Sequence, residues 1–371
     1  MSTQTIPEPA VKLSPVEGVK ENSRFLRGTI AEEFADVSLD HVSEANAQLI
    51  KFHGSYQQED RDARKKRDKA GVGKAYMFMV RLKLPGGKLT ADQYLAMDDL
   101  CGKHANGTLR ITTRQSFQFH GIGKSEMKPL LRGINDTLVT TLGGCGDVNR
   151  NVIACPAPLN DPARRAMQQL ASAVAAHLAP RAGTKAYHEI WLNGKPAECT
   201  ISSEPDAAEP IYGTTYLPRK FKIGFALPED NCTDVLAQCL GFLAVRGANG
   251  SPIGYNLYAG GGQGQTNSLP DTYPLLGQAV CFVEPDEVVQ AAEGICKLFR
   301  DHGNRANRKR ARLKYVMFDW GVERFREVFA RDYLNAPLRL PRDVPITGID
   351  LHHGWHAQGE GKWFLGVSVE N

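Results

Sequence analysis

Hydrophobic and polar residues alternate along residues 109–122, in the pattern typical of a β-strand with one polar face. Because successive strand side chains point to opposite faces, the apolar face would carry Leu109, Ile111, Phe117 and Phe119. The polar face would carry two guanidinium groups, an amide and an imidazole, from Arg110, Arg114, Gln118 and His120. That face suits a flat ligand with several negative charges, although a solvated face of an antiparallel sheet gives the same pattern.

The segments around this strand predict a compact unit over residues 71–145. Residues 75–84 alternate as a second strand, and Thr90 with Gln93 predicts a capping box at the start of a helix. Another helix is predicted after Ser125. The order strand, helix, strand, helix indicates an α+β sandwich with its helices on one face of the sheet.

The pattern of residues 146–346 predicts a second unit, and less regular segments lie before the first unit and after the second. Its helices are predicted at 162–178, 285–300 and 307–331, and its strands at 186–192, 216–227, 241–245 and 252–258. Residues 1–70 are predicted to be an arm and connector, since 56–74 are too polar to pack. Residues 347–371 begin a further strand.

The composition of the chain limits which classes of function and location are expected. The formal net charge of +4 does not by itself indicate a nucleic-acid partner, and no apolar run is long enough to span a membrane. The N-terminus lacks the features of a signal peptide, so a cytoplasmic location is predicted. The eight cysteines are scattered without Cys-x-x-Cys spacing, which predicts buried thiols and not a zinc or iron–sulfur site.

Cationic side chains recur in separate regions. Lys220 and Lys222 would share one strand face and repel each other unless an anion lies between them, the alternative being a solvated edge strand. Arg305, Arg308 and Arg312 have helical spacing, which alternatively indicates a solvated basic face or a nucleic-acid patch. A porphyrin-type macrocycle with many carboxylates would need such a set of cations, and so would a small oxyanion. Neither a P-loop nor a dinucleotide-binding motif is present.

A series of longer motifs carries a family resemblance. The motifs are residues 25–30, 52–54, 56–62, 84–87, 114–122, 149–152, 216–222 and 303–305. Together they resemble the haemoprotein subunit of assimilatory sulfite reductase, of the NADPH-dependent bacterial type. The resemblance covers nearly the whole chain.

This resemblance implies a siroheme enzyme that reduces sulfite to sulfide with six electrons. Its fold would be a ferredoxin-like half-domain (71–145), an α/β siroheme-binding domain (146–346) and the beginning of a second ferredoxin-like half (347–371). By residue match, the residues around bound sulfite would be Arg81, Arg150, Lys220 and Lys222. Siroheme would be held by Arg110, Arg114, Gln118, His120, Gly260, Gly261, Gly262, Asn304, Arg305, Arg308 and Arg312. The expected partners are sulfite and a flavoprotein reductase subunit that delivers NADPH-derived electrons, with no nucleic acid and no membrane.

One departure from the family pattern stands out. The family holds a [4Fe–4S] cluster with a Cys-x5-Cys and Cys-x3-Cys pattern, and this pattern is absent here. The chain therefore resembles the N-terminal part of the enzyme, and alone it is expected to be inactive. The alternatives are a ferredoxin-type nitrite reductase and a non-catalytic siroheme-binding or partner-binding remnant.

Overall fold

The computed structural model describes residues 12–181, 191–192, 195–196 and 209–369, and two four-stranded sheets organise them. The helices are α1 Pro15–Glu21, α2 Ile30–Ala35, α3 Glu44–Leu49, α4 Arg61–Lys69, α5 Ala91–His104, α6 Met127–Asp136, α7 Pro162–His177, α8 Val288–His302 and α9 Leu313–Val328. The strands are β1 Ser55–Glu59, β2 Tyr76–Arg81, β3 Arg110–Thr112, β4 Ser116–Ile122, β5 Trp191–Leu192, β6 Lys195–Pro196, β7 Ile223–Ala226, β8 Leu240–Arg246, β9 Pro252–Ala259, β10 Gln278–Val283, β11 Gly354–Gly359 and β12 Lys362–Gly366.

The first sheet has the antiparallel order β1-β2-β4-β3 and packs against α5 and α6. Phe78, Val80 and Phe119 share a buried core with side chains from both helices. The predicted capping box is present at the start of α5, where Thr90 and Gln93 bond each other's backbone N–H groups. The α+β sandwich predicted for this region is confirmed.

Two predictions about this sheet were wrong. Residues 109–122 do not form one strand, because the chain turns at 113–115 and β3 pairs antiparallel with β4. Arg110 consequently lies opposite Gln118, whereas Arg114 lies in the turn between the strands. Residues 56–74 are also not a simple connector. Residues 56–59 belong to β1, which pairs with β2 at the edge of the sheet. A polar segment can take this place because an edge strand is only partly buried.

The second sheet has the order β10-β9-β8-β7, with β7 parallel to β8 and the other pairs antiparallel. Helices α7, α8 and α9 contribute to the core on one face, where Phe225 stacks on Phe242 at 4.8 Å between ring centroids. The other face is covered by residues 235–236 and by Val344 and Ile346. Both faces of β7 and β8 are therefore buried, which explains their nearly continuous apolar sequence.

The basic segment before α9 does not have the predicted conformation. Helix α9 begins at Leu313 rather than near Asn307, so residues 303–312 are irregular. Arg305, Arg308 and Arg312 therefore share no helical face, and each finds separate partners. The predicted strand at 186–192 lies mostly outside the described residues. In residues 347–369 the structure shows an antiparallel hairpin, β11-β12, with Trp355 and Trp363 largely exposed.

Asn151 and Arg114 connect the two sheets. The segment 149–153 bridges to β7 through Ile153 and to the stretch just before β7 through Asn149. The Asn151 amide donates to the backbone oxygens of Leu84 and Arg114 at 2.6 and 2.7 Å. The Arg114 guanidinium donates back to the oxygens of Asn151 and Ile223. The hydrogen bonds fix how the β3-β4 turn meets the second sheet.

A buried ionic network fastens α1 to the second unit. The Lys20 ammonium is fully buried, lies 2.7 Å from Glu17 and donates to the Leu217 oxygen at 2.9 Å. Glu17 also pairs with Arg305, and its side chain is 3% exposed. A buried cation that loses its carboxylate partner is costly, because water does not replace the interaction. The other carboxylate near Lys20, that of Asp147, is more distant at 3.8 Å.

We expect Glu17→Gln to lower the free energy of unfolding by about 3 kcal/mol, because it leaves Lys20 and Arg305 without their shared carboxylate. Urea denaturation measures the change. The matched control is Glu323→Gln, whose ion pair with Arg326 involves an 81% exposed carboxylate and should matter by less than about 0.5 kcal/mol. Equal effects of the two substitutions would contradict the role of the buried network.

Candidate functional site

Arg81, at the end of β2, begins a cluster of cations at the junction of the two sheets. Its guanidinium donates to the Cys145 sulfur at 3.0 Å. In the amide orientation of Gln118 that satisfies its hydrogen bonds, the oxygen accepts from Arg81 Nε at 2.6 Å and the nitrogen donates to His120 Nε2 at 3.1 Å. Burial, together with Arg110 and Arg81, lowers the pKa of His120. The imidazole is therefore a neutral acceptor in this chain of contacts.

Arg150 enters the cluster from the segment that joins the sheets. Its side chain donates to the Gly146 oxygen at 3.2 and 3.1 Å, and the residue is 7% exposed. Gly146 has a φ of +85°, and a Cβ there would lie 2.8 Å from Phe52, so only glycine fits. Arg150 also lines a cavity of about 170 Å³, together with Lys51, Arg219 and Arg308.

Lys220 and Lys222 lie on the extended stretch that leads into β7. They alternate with Phe221 and Ile223, which are fully buried, so the predicted sharing of one face by the two ammonium groups is confirmed. Within the described residues, neither ammonium has a hydrogen-bond or ion-pair partner. The predicted alternative of a freely solvated edge does not match their burial, since both side chains are half-buried.

The electrostatics of the two lysines are those of crowded cations. Burial, and after it the positive charges of Arg312 and Arg150, together lower the pKa of Lys220 to about 7. Burial likewise lowers the pKa of Lys222 to about 8, with added repulsion from Arg114. All the neighbouring groups that shift the pKa of Lys220 are cations. An anion bound here would be attracted by several positive charges at once.

Arg114 and Arg312 complete the cluster but differ in how they are used. Arg114 is buried, and four donor contacts to Asn151, Gln238 and Ile223 occupy its guanidinium. Arg312 approaches the Cys239 sulfur at 3.4 Å, and its buried Nε has no hydrogen-bond partner. Arg312 is therefore the better placed of the two to accept an anionic ligand.

Other predicted cofactor residues lie in different surroundings. Arg110 is exposed on β3. Arg305 donates to the Tyr216 oxygen at 2.6 Å, and Arg308 donates to Asp147 at 2.8 Å. Asn304 caps its own turn by accepting from the backbone of Ala306 and Asn307. Asn304, Arg305 and Arg308 therefore bond to other groups of the protein.

The three glycines after β9 approach the protein closely. A Cβ on Gly260 would lie 2.6 Å from Met317, and one on Gly261 would lie 2.2 Å from the Leu236 oxygen. A Cβ on Gly262 would lie 2.9 Å from the Arg312 guanidinium. These glycines are predicted to hold siroheme, and their close neighbours in this structure are α9, the loop before β8 and Arg312. Gly262 limits the space beside Arg312.

Sequence reasoning missed several residues that support the cluster. Asp147 holds Arg308, Gln238 holds Arg114, and the thiols of Cys145 and Cys239 contact Arg81 and Arg312. Burial raises the pKa of Cys239, but Arg312 and Lys222 outweigh this and lower it overall. No local pattern identifies these residues, because their partners lie far away in sequence. The Asn149-Arg150-Asn151 motif was the one available signal for this junction.

The chain belongs to the nitrite and sulfite reductase family. Residues 72–136 match the family domain described as "Nitrite/Sulfite reductase ferredoxin-like half domain". Residues 175–338 match the one described as "Nitrite and sulphite reductase 4Fe-4S domain". The α+β class and the ferredoxin-like first unit predicted from the sequence are thereby confirmed.

Curated relatives and a solved structure agree with this membership. The chain is 42% identical to the sulfite reductase (NADPH) hemoprotein beta-component of Staphylococcus saprophyticus, over 97% of the chain and 62% of that protein. It is 44% identical to the protein of the same name from Chromohalobacter salexigens, with the same coverage of 97% and 62%. The chain thus spans somewhat less than two thirds of these relatives' length. The structure of the Mycobacterium tuberculosis NirA protein shares the fold, with a TM-score of 0.72, 22% identity, and coverage of 95% of this chain and 59% of that one.

The family implies siroheme and a 4Fe–4S cluster, and the described residues fit these groups unequally. Siroheme is polyanionic, and the exposed guanidinium of Arg110 with the orphaned Nε of Arg312 supplies positive donors of the kind it needs. The cluster requires four thiolates. Among the described residues, the one close group of metal-ligating side chains contains two thiols, Cys155 and Cys232, so it does not match such a cluster.

The crowding of Lys220 and Lys222 predicts a stability penalty with a defined pH dependence. Both lysines have a folded-state pKa, about 7 and about 8, below the unfolded value of 10.5. The unfolded chain therefore binds more protons between pH 7 and 10.5, and stability rises with pH across that window. Below pH 7 the full penalty of keeping both ammonium groups charged acts on the folded state.

We expect the double variant Lys220→Met, Lys222→Met to unfold at higher denaturant concentration than the parent at pH 6.5, by about 1 kcal/mol. The advantage should shrink as the pH approaches 10, and urea titrations at several pH values measure it. Lys128→Met, at an exposed position of α6, is the control and should be neutral. A double variant less stable than the parent at pH 6.5 would contradict the crowding.

Proposed function

We propose that this chain supplies the sulfite-binding and siroheme-binding surface of a sulfite reductase haemoprotein, which reduces sulfite to sulfide with six electrons. The observation that carries the proposal is the pair Lys220 and Lys222, half-buried, unpaired among the described residues and surrounded by arginines. The names of the curated relatives support sulfite as the substrate.

The chemistry explains why such a pair is needed. Conversion of SO₃²⁻ to HS⁻ takes up six electrons and seven protons and releases three molecules of water. The substrate must therefore be attracted as an anion and supplied with protons as its oxygens leave. Siroheme, when bound, would supply the iron centre through which the electrons reach sulfur.

Different side chains of the cluster would bind the anion and supply the protons. The guanidinium groups of Arg81 and Arg150 would hold the oxyanion, because their planar set of donors suits an anion with several oxygens. Lys220, with a pKa of about 7, is matched to giving and regaining a proton near neutral pH. Lys222, with a pKa of about 8, would remain mostly charged and preserve the attraction for the anion.

The remaining predicted residues would hold the carboxylates of siroheme. Arg110, Gln118 and His120 lie along the β3-β4 hairpin, and Arg312 lies beside Gly262 on the second unit. Arg114 would act differently, by fixing the position of the hairpin, since its donors are already engaged within the protein. Asn304, Arg305 and Arg308 would hold the cofactor only if they exchange their present partners.

Partner and location follow from the same proposal. A flavoprotein subunit would deliver electrons from NADPH; the names of the relatives, which include NADPH and the term beta-component, support a partner subunit. In the described residues, no helix is both long and apolar enough to cross a membrane. The seven described cysteines are all free thiols, which supports the predicted cytoplasmic location.

The proposal is tested by anion binding to the purified chain, loaded with siroheme during expression. Sulfite affinity is measured by calorimetry, with nitrite as the competing substrate and chloride as the nonspecific control. We expect Lys220→Met and Lys222→Met each to weaken sulfite binding by about 10-fold or more, the scale of losing one charged hydrogen bond. Lys128→Met should leave it unchanged.

Siroheme content, read from the visible absorption spectrum, separates the roles. It should stay near the parent level in both lysine variants and fall in Arg312→Ala. Unchanged sulfite affinity in both lysine variants would remove them from the substrate site. Loss of siroheme together with sulfite binding would assign them to the cofactor instead, and preferred binding of nitrite would favour the nitrite reductase alternative.

A further inference from the structure

Four ligating side chains converge outside the cationic site. Cys155, Asp230, Cys232 and His352 each offer one ligand atom, and these atoms all lie within 4.8 Å of one another. The Cys155 sulfur is 3.1 Å from Asp230 Oδ2 and 3.2 Å from His352 Nε2. His352 Nε2 is 3.0 Å from the same Asp230 oxygen. The sequence alone did not reveal this group, because its members are spread over almost 200 positions.

Three separate segments bring the group together. Cys155 follows the segment that bridges to β7, while Asp230 and Cys232 lie in the loop after β7. His352 comes from residues 347–353, which dock on that loop. Thr347 N–H donates to the Pro228 oxygen at 2.7 Å, and Asn231 N–H donates to the Gly348 oxygen at 3.0 Å. Ordinary backbone contacts therefore hold the imidazole against the thiol and the carboxylate.

We propose that Cys155, Asp230, Cys232 and His352 form a tetrahedral site for a divalent transition-metal ion of the zinc class. Two thiolates, one imidazole and one carboxylate are ligands that zinc accepts, and four is its usual coordination number. The ordinary zinc bond lengths place neighbouring ligand atoms roughly 3.3–3.8 Å apart. The three separations among Cys155, Asp230 and His352, which are 3.0–3.2 Å, need to open by only a few tenths of an ångström, and the Cys232 sulfur lies within 4.8 Å of the other three ligand atoms.

The surroundings have the features of a metal site. Asp350 Oδ2 lies 3.2 Å from the other ring nitrogen of His352, Nδ1, at ion-pair distance but without hydrogen-bond geometry, so a small rotation would let it orient the ring as carboxylates beside ligating histidines do. Arg164 donates to Asp230 at 2.9 Å. Two thiolates and a carboxylate around a divalent ion leave one net negative charge, which the guanidinium of Arg164 balances.

The exposure of the four ligand residues fits a structural metal ion that enters from one side. Cys155 is 1% exposed, Asp230 is 1% exposed and His352 is 7% exposed, so the ligand atoms are largely shielded from water. Cys232 is partly exposed and gives an ion access. All four positions are filled by protein groups, which is typical of structural and not catalytic zinc. The ion would bind residues 347–353, and the hairpin β11-β12 that follows them, to the second unit.

The test measures metal in the full 371-residue chain, purified from cells grown with zinc, without a histidine tag and under reducing conditions. Mass spectrometry of the metal content should give about one zinc per chain. Replacement of the zinc by Co²⁺ should produce a thiolate-to-cobalt charge-transfer band and the visible bands of tetrahedral cobalt. Cys232→Ala and His352→Gln should lose the stoichiometric zinc and the cobalt bands.

Matched controls use the same substitutions away from the group. Cys101→Ala changes a buried thiol on α5, and His353→Gln changes the exposed neighbour of His352; both should keep the metal. Removal of zinc from the parent by a chelator should also speed proteolysis after residue 346, while cleavage at α4 stays unchanged. This readout does not involve sulfite or siroheme, so it succeeds or fails independently of the proposed function.

Three results would overturn the proposal. The first is parent protein that is folded, by circular dichroism, but contains no zinc and shows no cobalt bands. The second is full metal retention by both Cys232→Ala and His352→Gln. The third is a disulfide between Cys155 and Cys232 in the protein as purified, seen as a loss of two free thiols, which would make the group a redox pair with neighbouring hydrogen bonds.

Discussion

The concentration of positive charge at the junction of the two sheets is the constraint on which the rest of the structure depends. Arg81, Arg150, Arg312 and the pair Lys220 and Lys222 come from separate segments, and the charges of Arg150 and Arg312 contribute to the lowered pKa of both lysines. Such an arrangement repels itself, so the scaffold must hold it in place. The large buried core of the second unit and the hydrogen bonds between the sheets stabilise the fold against this repulsion.

The supporting contacts show how the protein keeps this charge without neutralising it. Backbone oxygens accept from Arg114 and Arg150, and carboxylates are used around Arg305 and Arg308 instead of at the lysines. Arginines at the edge of the cluster are therefore paired, whereas the two ammonium groups stay available. This distribution stores binding energy for an anion at the cost of stability of the empty protein.

The group formed by Cys155, Asp230, Cys232 and His352 concerns how residues 347–353 are attached to the second unit. Residues 347–353 contribute few apolar side chains to the core and depend on a handful of backbone hydrogen bonds. A metal ion would join them to the loop after β7 through directional bonds that do not require apolar area. The cationic cluster attracts anions, whereas this group of thiols and carboxylate attracts a cation, so the two sites do not compete for a ligand.

The sequence by itself determined the elements whose signals are local. Alternation placed β2, strand-like runs placed β8 and β9, the Thr90 and Gln93 pair placed the start of α5, and the long motifs identified the family. Lys220 and Lys222 were found on one face because alternation with buried Phe221 and Ile223 is a property of the backbone.

Only the tertiary structure decided features that rest on distant partners. The turn at 113–115 is stabilised by Asn151, 36 positions beyond Gln115, and so residues 109–122 form a hairpin despite their alternation. The segment 303–312 is irregular because Arg305 and Arg308 bond to Tyr216 and Asp147, contacts that outweigh helical propensity. The convergence of Cys155, Asp230, Cys232 and His352 has the same cause, because side chains spread across three segments meet only after the second sheet and the 347–353 segment are packed.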